Sequence, residues 1–416
     1  MKAAIIAVGD EVLLGETVNT NASYLSRMLD EQGIEVAYHK TVGDVEQAIC
    51  DAIGEACSKA DIIVCSGGLG PTMDDMTKQA VANALGLKLV YDAALEEEMA
   101  ARFRARNASF TPNNLSQCYL PEGSEALKNR NGTAPGVYLE HGRKTIIMLP
   151  GPPRELNPMF EEFALPKIKS KAHKASAVKY YMASGIGESY LESLLREAIP
   201  PNDEYYHVNT YLTDSGIMVK AVAFDSSERS AAESISFYDD AVKEAIGSHL
   251  YSERKIDLWD VAAGMLIEQD LSISFAESYT GGMLSEQICR KEGISAVFKG
   301  SVVAYSNEAK INLLGVPKEI IEEHGAVSAQ AAVAMAEGAA RIFNSDIAIS
   351  TTGVAGPGPS EGKSPGTCYS AMFFRGNTVC EENLLVGARN TMRARGATNA
   401  LFSLFSALKF RNEENK

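Results

Sequence analysis

Twice along this chain, short apolar runs alternate with helical periods at a spacing that fits a mostly parallel sheet with helices on its faces. In the first third, AAIIAV (3–8) reads as a buried strand. TNASYLSRMLDEQG (20–33) has helical spacing and stops at a glycine. IEVAYHKTV then reads as a strand, VEQAICDAIGEACSKA as a helix and DIIVCS (61–66) as a further buried strand. MTKQAVANALG is another helix, and TIIML (145–149) a strand running into PGPPRE. The second alternation begins at Leu258, with WDVAAGMLIEQD as helix, LSISFA as strand, GGMLSEQICRK as helix and SVVAYS as strand. SAQAAVAMAEGAARIF follows as a helix, DIAISTTGVAG as strand and loop, and GTCYSAMFF as a strand. The expected fold class is α/β, doubly wound at the N-terminal end.

Between the two alternations the texture changes. KASAVKYYMAS, a helical GESYLESLLREAI and the period-2 run HVNTYLTDSGIMVKAVAF suggest a small α+β unit, closed by a linker-like SHLYSERKID (248–257). At 416 residues the chain is long for one domain, and the expected division is 1–169, 170–252 and 253–416.

Composition removes several classes of function. The apolar run after Lys2 lasts only from Ala3 to Val8, too short for a secretory h-region, and no stretch approaches the ~20 apolar residues of a membrane span. The expectation is a soluble, unprocessed, cytoplasmic protein. Seven cysteines are scattered with no C-x-x-C pair, and six histidines form no H-x-x-x-H pair, which suits reduced thiols better than disulfides or a zinc site. A net charge of −15 repels phosphate backbones, so nucleic acid is not an expected partner.

Two stretches carry chemistry. In GGLGPTMDDMT (67–77), Gly67, Gly68 and Gly70 let the backbone approach a ligand, and amides near Thr72 at the next helix start favour a phosphate. Asp74 and Asp75 in that turn serve either as helix caps or as ligands for a divalent cation held against the phosphate. Asp10, Glu11 and Asp44 also follow expected strands, and in a parallel sheet such turns share one edge. Neither G-x-G-x-x-G nor G-x-x-x-x-G-K-[ST] is present.

The second stretch is SFAESYTGGM (274–283), where Ser278 stands between a strand and a helix. A serine there is either an N-cap or a nucleophile, and a nucleophile needs a base. His324 alone represents histidine in this third, in a loop-like setting; a lysine of lowered pKa is the other choice, with Lys310 a candidate that Tyr305 and Ser306 could orient. Further on, Thr351 and Thr352 end a strand before a loop with Gly353 and Gly356, and Arg389, Arg393 and Arg395 could pair with a phosphate.

GDEVLLGETVNTNASYL, SGGLGPTMDDMTK and LPGPPRE together resemble the molybdopterin-binding-type domain of the CinA family over roughly residues 1–170. That likeness implies metal-dependent ADP-ribose pyrophosphate hydrolysis, with the divalent ion on acids drawn from Asp10, Glu11, Asp44, Asp74 and Asp75. The usual family turn is G-D-D; here it is Gly43-Asp44-Val45, with one carboxylate fewer. The middle segment is similar to the KH-type linking domain of these proteins, but its SGIGES lacks the RNA-clamping G-x-x-G, so a spacer or dimer contact is expected there.

AESYTGG, YSNEAKINLLGV, HGAVSAQAAVAMAEGA, TTGVAGPG and GTCYSAM, in this order, resemble the nicotinamide-mononucleotide deamidase domain of CinA C-terminal type. The resemblance implies hydrolysis of nicotinamide mononucleotide to nicotinic acid mononucleotide and ammonia without a cofactor. The family's nucleophile falls on Ser278 and its lysine on Lys310, with support at Tyr305, Thr352 and an arginine among 389–395. Amides near 279–282, including those of Thr280, Gly281 and Gly282, are expected to hold the oxyanion. Two departures stand out. Tyr279 replaces the family's cysteine, and the loop GPGPSEGKSPG is one residue shorter than usual and lacks its Gly-Gly. The expectation is thus a bifunctional salvage hydrolase, acting as a homodimer on small nucleotides. Its alternatives are a chain with one active site or a non-catalytic partner protein linked to competence.

Overall fold

The computed structural model describes residues 1–105, 107, 109–171 and 176–414. These form two compact units, Met1–Ala177 with Phe224–Ala232, and Val178–Ala223 with Glu233–Lys416.

The first unit is built on a six-stranded sheet in the order Glu35–Val42, Lys2–Val8, Ile62–Ser66, Lys144–Leu149, Gly136–His141, Glu125–Leu127. The first four strands are parallel, and the last two run antiparallel to their neighbours. Strand alternation sends Ala4, Ile6 and Val8 into one apolar core and Ala3 and Ile5 into another, which is why the run reads as continuously apolar. Helices Glu46–Lys59 and Thr77–Leu85 supply one core, and Thr20–Asp30 the other. Each fully buried leucine or isoleucine contributes about 1.5–3 kcal/mol, so both faces are strongly specified. In register, Val8 meets Val42 and Ser66 meets Leu149, and Ala7 lies opposite Ser66. The turns beginning at Gly9, Gly43 and Gly67 therefore share one sheet edge, as the sequence predicts.

The sheet Tyr206–Thr213, Gly216–Phe224, Ser176–Ala183, Leu250–Ser252, which belongs to the second unit apart from Ser176, Ala177 and Phe224, precedes a five-stranded one. The expected strand KASAVKYYMAS begins at 174, and its first two residues lie outside the described ones. The stretch expected as a linker, 248–257, contains the strand Leu250–Ser252, which pairs with Ser176–Ala183 because Tyr251 is buried. Met182 and Tyr251 enter the same apolar cluster as Phe275 and Leu404, so the small sheet shares a core with the five-stranded sheet.

The five-stranded sheet runs Phe298–Val303, Ile273–Glu277, Ile347–Gly353, Thr367–Phe374, Asn377–Leu384, with the first three parallel and the last two antiparallel. Ile273 and Phe275 face the C-terminal helix Arg389–Glu414 through Leu401, Leu404 and Leu408, whereas Ala276 faces Met335 and Ala339 of helix Ala329–Phe343. The edge strand and the C-terminal helix lie beyond the expected elements. The strand keeps mostly polar, exposed residues, and the helix opens on the polar run RNTMRARG, so apolar periodicity is weak at both.

All seven cysteines are free thiols, and among the described residues no helix is long and apolar enough to cross a membrane.

Lys78 anchors the loop beneath the first unit's glycine-rich turn. Its buried Nζ donates to the carbonyls of Ser116 at 2.9 Å and Gln117 at 3.1 Å, and burial pushes its pKa down to about 8. A neutral amine still has two N–H groups for those two carbonyls. The unfolded chain holds this proton up to ~10.4, so it binds more protons than the folded one between about 8 and that value. Chemical denaturation at stepped pH should show wild-type stability, relative to Lys78→Met, rising with pH across this window.

Candidate active site

Register explains how the second unit brings a serine and a lysine together. Glu277 pairs with Val303 on one side and Thr351 on the other, so Ser278 and Ala304 leave the sheet at one edge, beside Thr352, which stays paired with Tyr369 in its own strand. The amide of Ala304 donates to the Glu277 carbonyl at 2.8 Å, and that of Ser278 to the Thr351 carbonyl at 2.9 Å. After Ala304, Ser306 caps the helix Asn307–Asn312 by accepting from the Ala309 amide at 3.1 Å, which turns Lys310 back over the sheet edge. Lys310 Nζ then donates to Ser278 Oγ at 3.1 Å and to the Ala304 carbonyl at 3.0 Å.

Lys310 is 2% exposed and Ser278 8%. Burial pushes the Lys310 pKa down, opposed by the Glu361 carboxylate, which pushes it up. A buried amine in hydrogen-bond contact with a hydroxyl, without an ion-pair partner of its own among the described residues, is suited to exist neutral and take that hydroxyl's proton.

The turn after Ser278 is held from beneath. The Glu277 carboxylate, fully buried, accepts from the amides of Gly282, Leu284 and Ser285 at 2.9, 3.1 and 2.9 Å and from the Ser285 hydroxyl at 2.7 Å. It, rather than Ser278, caps the helix Met283–Ile288. The Gly281 amide donates to the Ser278 carbonyl at 3.0 Å. Of the amides expected to face an oxyanion, those of Gly281 and Gly282 are therefore occupied. Those of Tyr279 and Thr280 form no hydrogen bond among the described residues.

Several expected site residues have other partners. The Thr280 hydroxyl pairs with Thr351 at 2.7 Å, and buried Thr352 donates to the Ala326 carbonyl at 2.7 Å. Tyr305 is 57% exposed and accepts from Arg389 Nη2 at 2.6 Å, while Arg389 Nη1 reaches the Gly356 carbonyl at 2.8 Å. Lys310 is thus oriented by the Ala304 carbonyl and the Ser306 cap, and Tyr305 and Arg389 belong to the exposed rim. Arg393 donates to the carbonyls of Tyr279 and Thr280 and to Asn390. Arg395 reaches the Val386 carbonyl at 2.9 Å. Gly353 lies in register with Cys368, too near it to accommodate a side chain.

The shortened loop is tied down over the segment 324–327. Glu361 accepts from the Val327 amide at 3.0 Å, and Lys363 donates to the carbonyls of His324 and Val327. Glu277, Glu361 and Lys363 are not among the residues singled out from sequence. Glu277 carried the only local sign, an acid placed directly before the candidate nucleophile at the end of an apolar run.

In the first unit the expected cation site does not assemble. The Asp75 carboxylate accepts from the amides of Gly70 at 2.7 Å and Thr72 at 2.9 Å and from the Thr72 hydroxyl. It fills the place an anion would take in the glycine turn. The Gly67 amide donates to the Leu149 carbonyl at 2.9 Å, and the Gly68 carbonyl accepts from the Thr77 amide at 3.1 Å. Asp10 and Asp44 cap each other's amides at 3.0 and 3.2 Å. Burial, with the neighbouring carboxylates of Asp10, Glu11 and Asp74, pushes Asp44 up, although the Asp10 amide pulls it down. Val45, where the family pattern has an acid, is 58% exposed. Among the described residues, no three His, Cys, Asp or Glu side chains are grouped so as to hold a metal ion. The side chains as arranged therefore do not fit the divalent ion that the sequence resemblance implies.

Family comparison matches residues 256–408 to the CinA C-terminal domain and residues 4–170 to the probable molybdopterin binding domain. A CinA-like protein of Dictyoglomus thermophilum is 39% identical over 402 residues, covering 96% of this chain and 98% of the relative. A Clostridium beijerinckii relative, named as competence-damage inducible, has the same identity and the same coverage. Among solved structures, a CinA protein of Thermoplasma acidophilum is 34% identical and covers 41% of this chain and 99% of its own, with a TM-score of 0.38.

Tyr279 shows how its neighbourhood accommodates a larger side chain. Its ring is buried beside Ala355 and Cys368, and a Cβ added to Gly396 of the C-terminal helix would stand 1.8 Å from its hydroxyl. Burial and the Cys368 thiol hold that hydroxyl protonated well above the usual tyrosine range. Gly396→Ala should cost about 1–3 kcal/mol through overpacking, read as a lowered thermal midpoint. Most of that loss should be recovered in Gly396→Ala with Tyr279→Cys, a coupling that a double-mutant cycle measures.

Proposed function

Since this chain belongs to the CinA family, we propose that its C-terminal third hydrolyses the carboxamide of nicotinamide mononucleotide, releasing ammonia and nicotinic acid mononucleotide. The observation that carries the reading is the buried 3.1 Å contact between Lys310 Nζ and Ser278 Oγ. Neutral Lys310 takes the Ser278 proton as Oγ bonds to the carboxamide carbon, and the carbonyl electrons move onto oxygen. The amides of Tyr279 and Thr280 are the donors free to receive that oxyanion. On collapse the C–N bond breaks, and Lys310 gives its proton to the departing nitrogen, which leaves as ammonia. Water then adds to the acyl-serine, passing a proton to Lys310; the C–Oγ bond breaks, and Oγ recovers that proton. Exposed Arg389, linked to Tyr305 at the rim, is suited to the substrate phosphate.

For the first unit the family resemblance suggests ADP-ribose pyrophosphate hydrolysis. The geometry lends that activity no support, because the carboxylates at the glycine-rich edge are engaged with backbone amides and Asp75 stands where a phosphate would bind.

Ser278→Ala and Lys310→Met should each lower ammonia release from nicotinamide mononucleotide by at least roughly 1,000-fold with the fold retained, as followed by a coupled ammonia assay and circular dichroism. Undiminished release from Ser278→Ala would remove it as the nucleophile. A chelator should leave this release unchanged, since a lysine supplies the base.

The pH dependence has a definite sign. Activity needs neutral Lys310, so kcat/KM should rise with pH along a limb whose midpoint lies below the ordinary lysine value, because burial lowers that pKa. Glu361 pushes the other way, so Glu361→Gln should move the limb to lower pH. A limb that stays in place or moves upward would rule out this electrostatic role.

A further inference from the structure

The geometry points to Arg393 as the positioning residue of an oxyanion pair formed by the amides of Tyr279 and Thr280, an inference that rests on the amidase reading above. The Tyr279 carbonyl and the Thr280 amide belong to one peptide group. Arg393 Nε donates to that carbonyl at 2.9 Å. The Thr280 carbonyl, which receives Arg393 Nη2 at 3.0 Å, shares its peptide group with the Gly281 amide. That amide donates to the Ser278 carbonyl at 3.0 Å, and the Ser278 carbonyl shares its peptide group with the Tyr279 amide.

One guanidinium therefore reaches both unoccupied amides, directly for Thr280 and through one intervening hydrogen bond for Tyr279. In a planar trans peptide the C=O and N–H point in opposite directions, so carbonyls drawn to Arg393 aim their amides away from it. A charged donor on the carbonyl also polarises the group and strengthens its N–H as a donor. Asn390 fixes the guanidinium by accepting from Nη1 at 3.1 Å. A Cβ on Gly281 would lie 3.0 Å from Nη2, so the arginine packs closely against the turn. Lysine, with a single ammonium, cannot span both carbonyls in the fork geometry.

This role differs from holding the substrate phosphate, and kinetics separate the two. In Arg393→Lys, kcat for ammonia release from nicotinamide mononucleotide should fall roughly 100-fold with KM within about twofold of wild type. Ethylguanidinium at millimolar level should restore part of the rate in Arg393→Ala but none in Ser278→Ala, which keeps the test meaningful if truncation loosens the turn. A raised KM with kcat retained would assign Arg393 to substrate binding and overturn the proposal, as would an unchanged kcat.

A second readout is independent of the substrate. An alkyl fluorophosphonate forms an Oγ–P bond at Ser278 as the P–F bond breaks, with the serine proton passing to Lys310 and fluoride leaving. Its phosphoryl oxygen needs the same donors, so Arg393→Lys should slow labelling at least roughly 10-fold. A wild type that labels but releases no ammonia would refute the substrate reading, leaving Arg393 to be judged on labelling alone. A wild type that does neither would overturn both.

Discussion

The second unit turns on one buried contact, the hydrogen bond from Lys310 Nζ to Ser278 Oγ. A lysine that is 2% exposed has lost most of its hydration, and the charged form bears that cost. Its neighbours are a serine hydroxyl and a carbonyl, with a carboxylate acting only through space. This environment is unfavourable for a structural ammonium and favourable for a base. Much of the local architecture holds the pair in place, from the pairing of Glu277 with Val303 and Thr351 to the Ser306 cap on the lysine's helix.

Beneath the serine, acid and base are divided between two layers. Glu277 satisfies the first amides of the short helix, which frees Ser278 from acting as a cap. Arg393 satisfies two carbonyls of the turn. Tyr279 belongs to this arrangement too. Its side chain is directed toward Gly396 and Cys368, so a bulky residue next to Ser278 is accommodated by a glycine on a helix that arrives more than a hundred residues later.

The two units show opposite electrostatic solutions at corresponding sheet edges. In the first, carboxylates of the three turns are each held by backbone amides, with Asp75 in the glycine turn and Asp10 and Asp44 reciprocally capped. In the second, the polar groups at the edge are a neutral hydroxyl, an amine and backbone donors. The second arrangement is poised for proton transfer, whereas the first has its acids committed to hydrogen bonds.

From the sequence alone, the two α/β alternations, the parallel strands and the shared edge of the turns at Gly9, Gly43 and Gly67 could be read, because apolar period and turn residues are local properties. The two residues of the candidate dyad could be named, because their motifs lie in order along the chain. What only the tertiary structure decided is which partner each group has. Thr352 is turned to Ala326, Arg393 to the turn after Ser278, Asp75 to Gly70 and Thr72, and two of the expected oxyanion amides are already occupied. Hydrogen-bond partners are chosen by proximity between segments far apart in sequence, and residue type limits what a group can donate or accept without saying which of several neighbours it will meet.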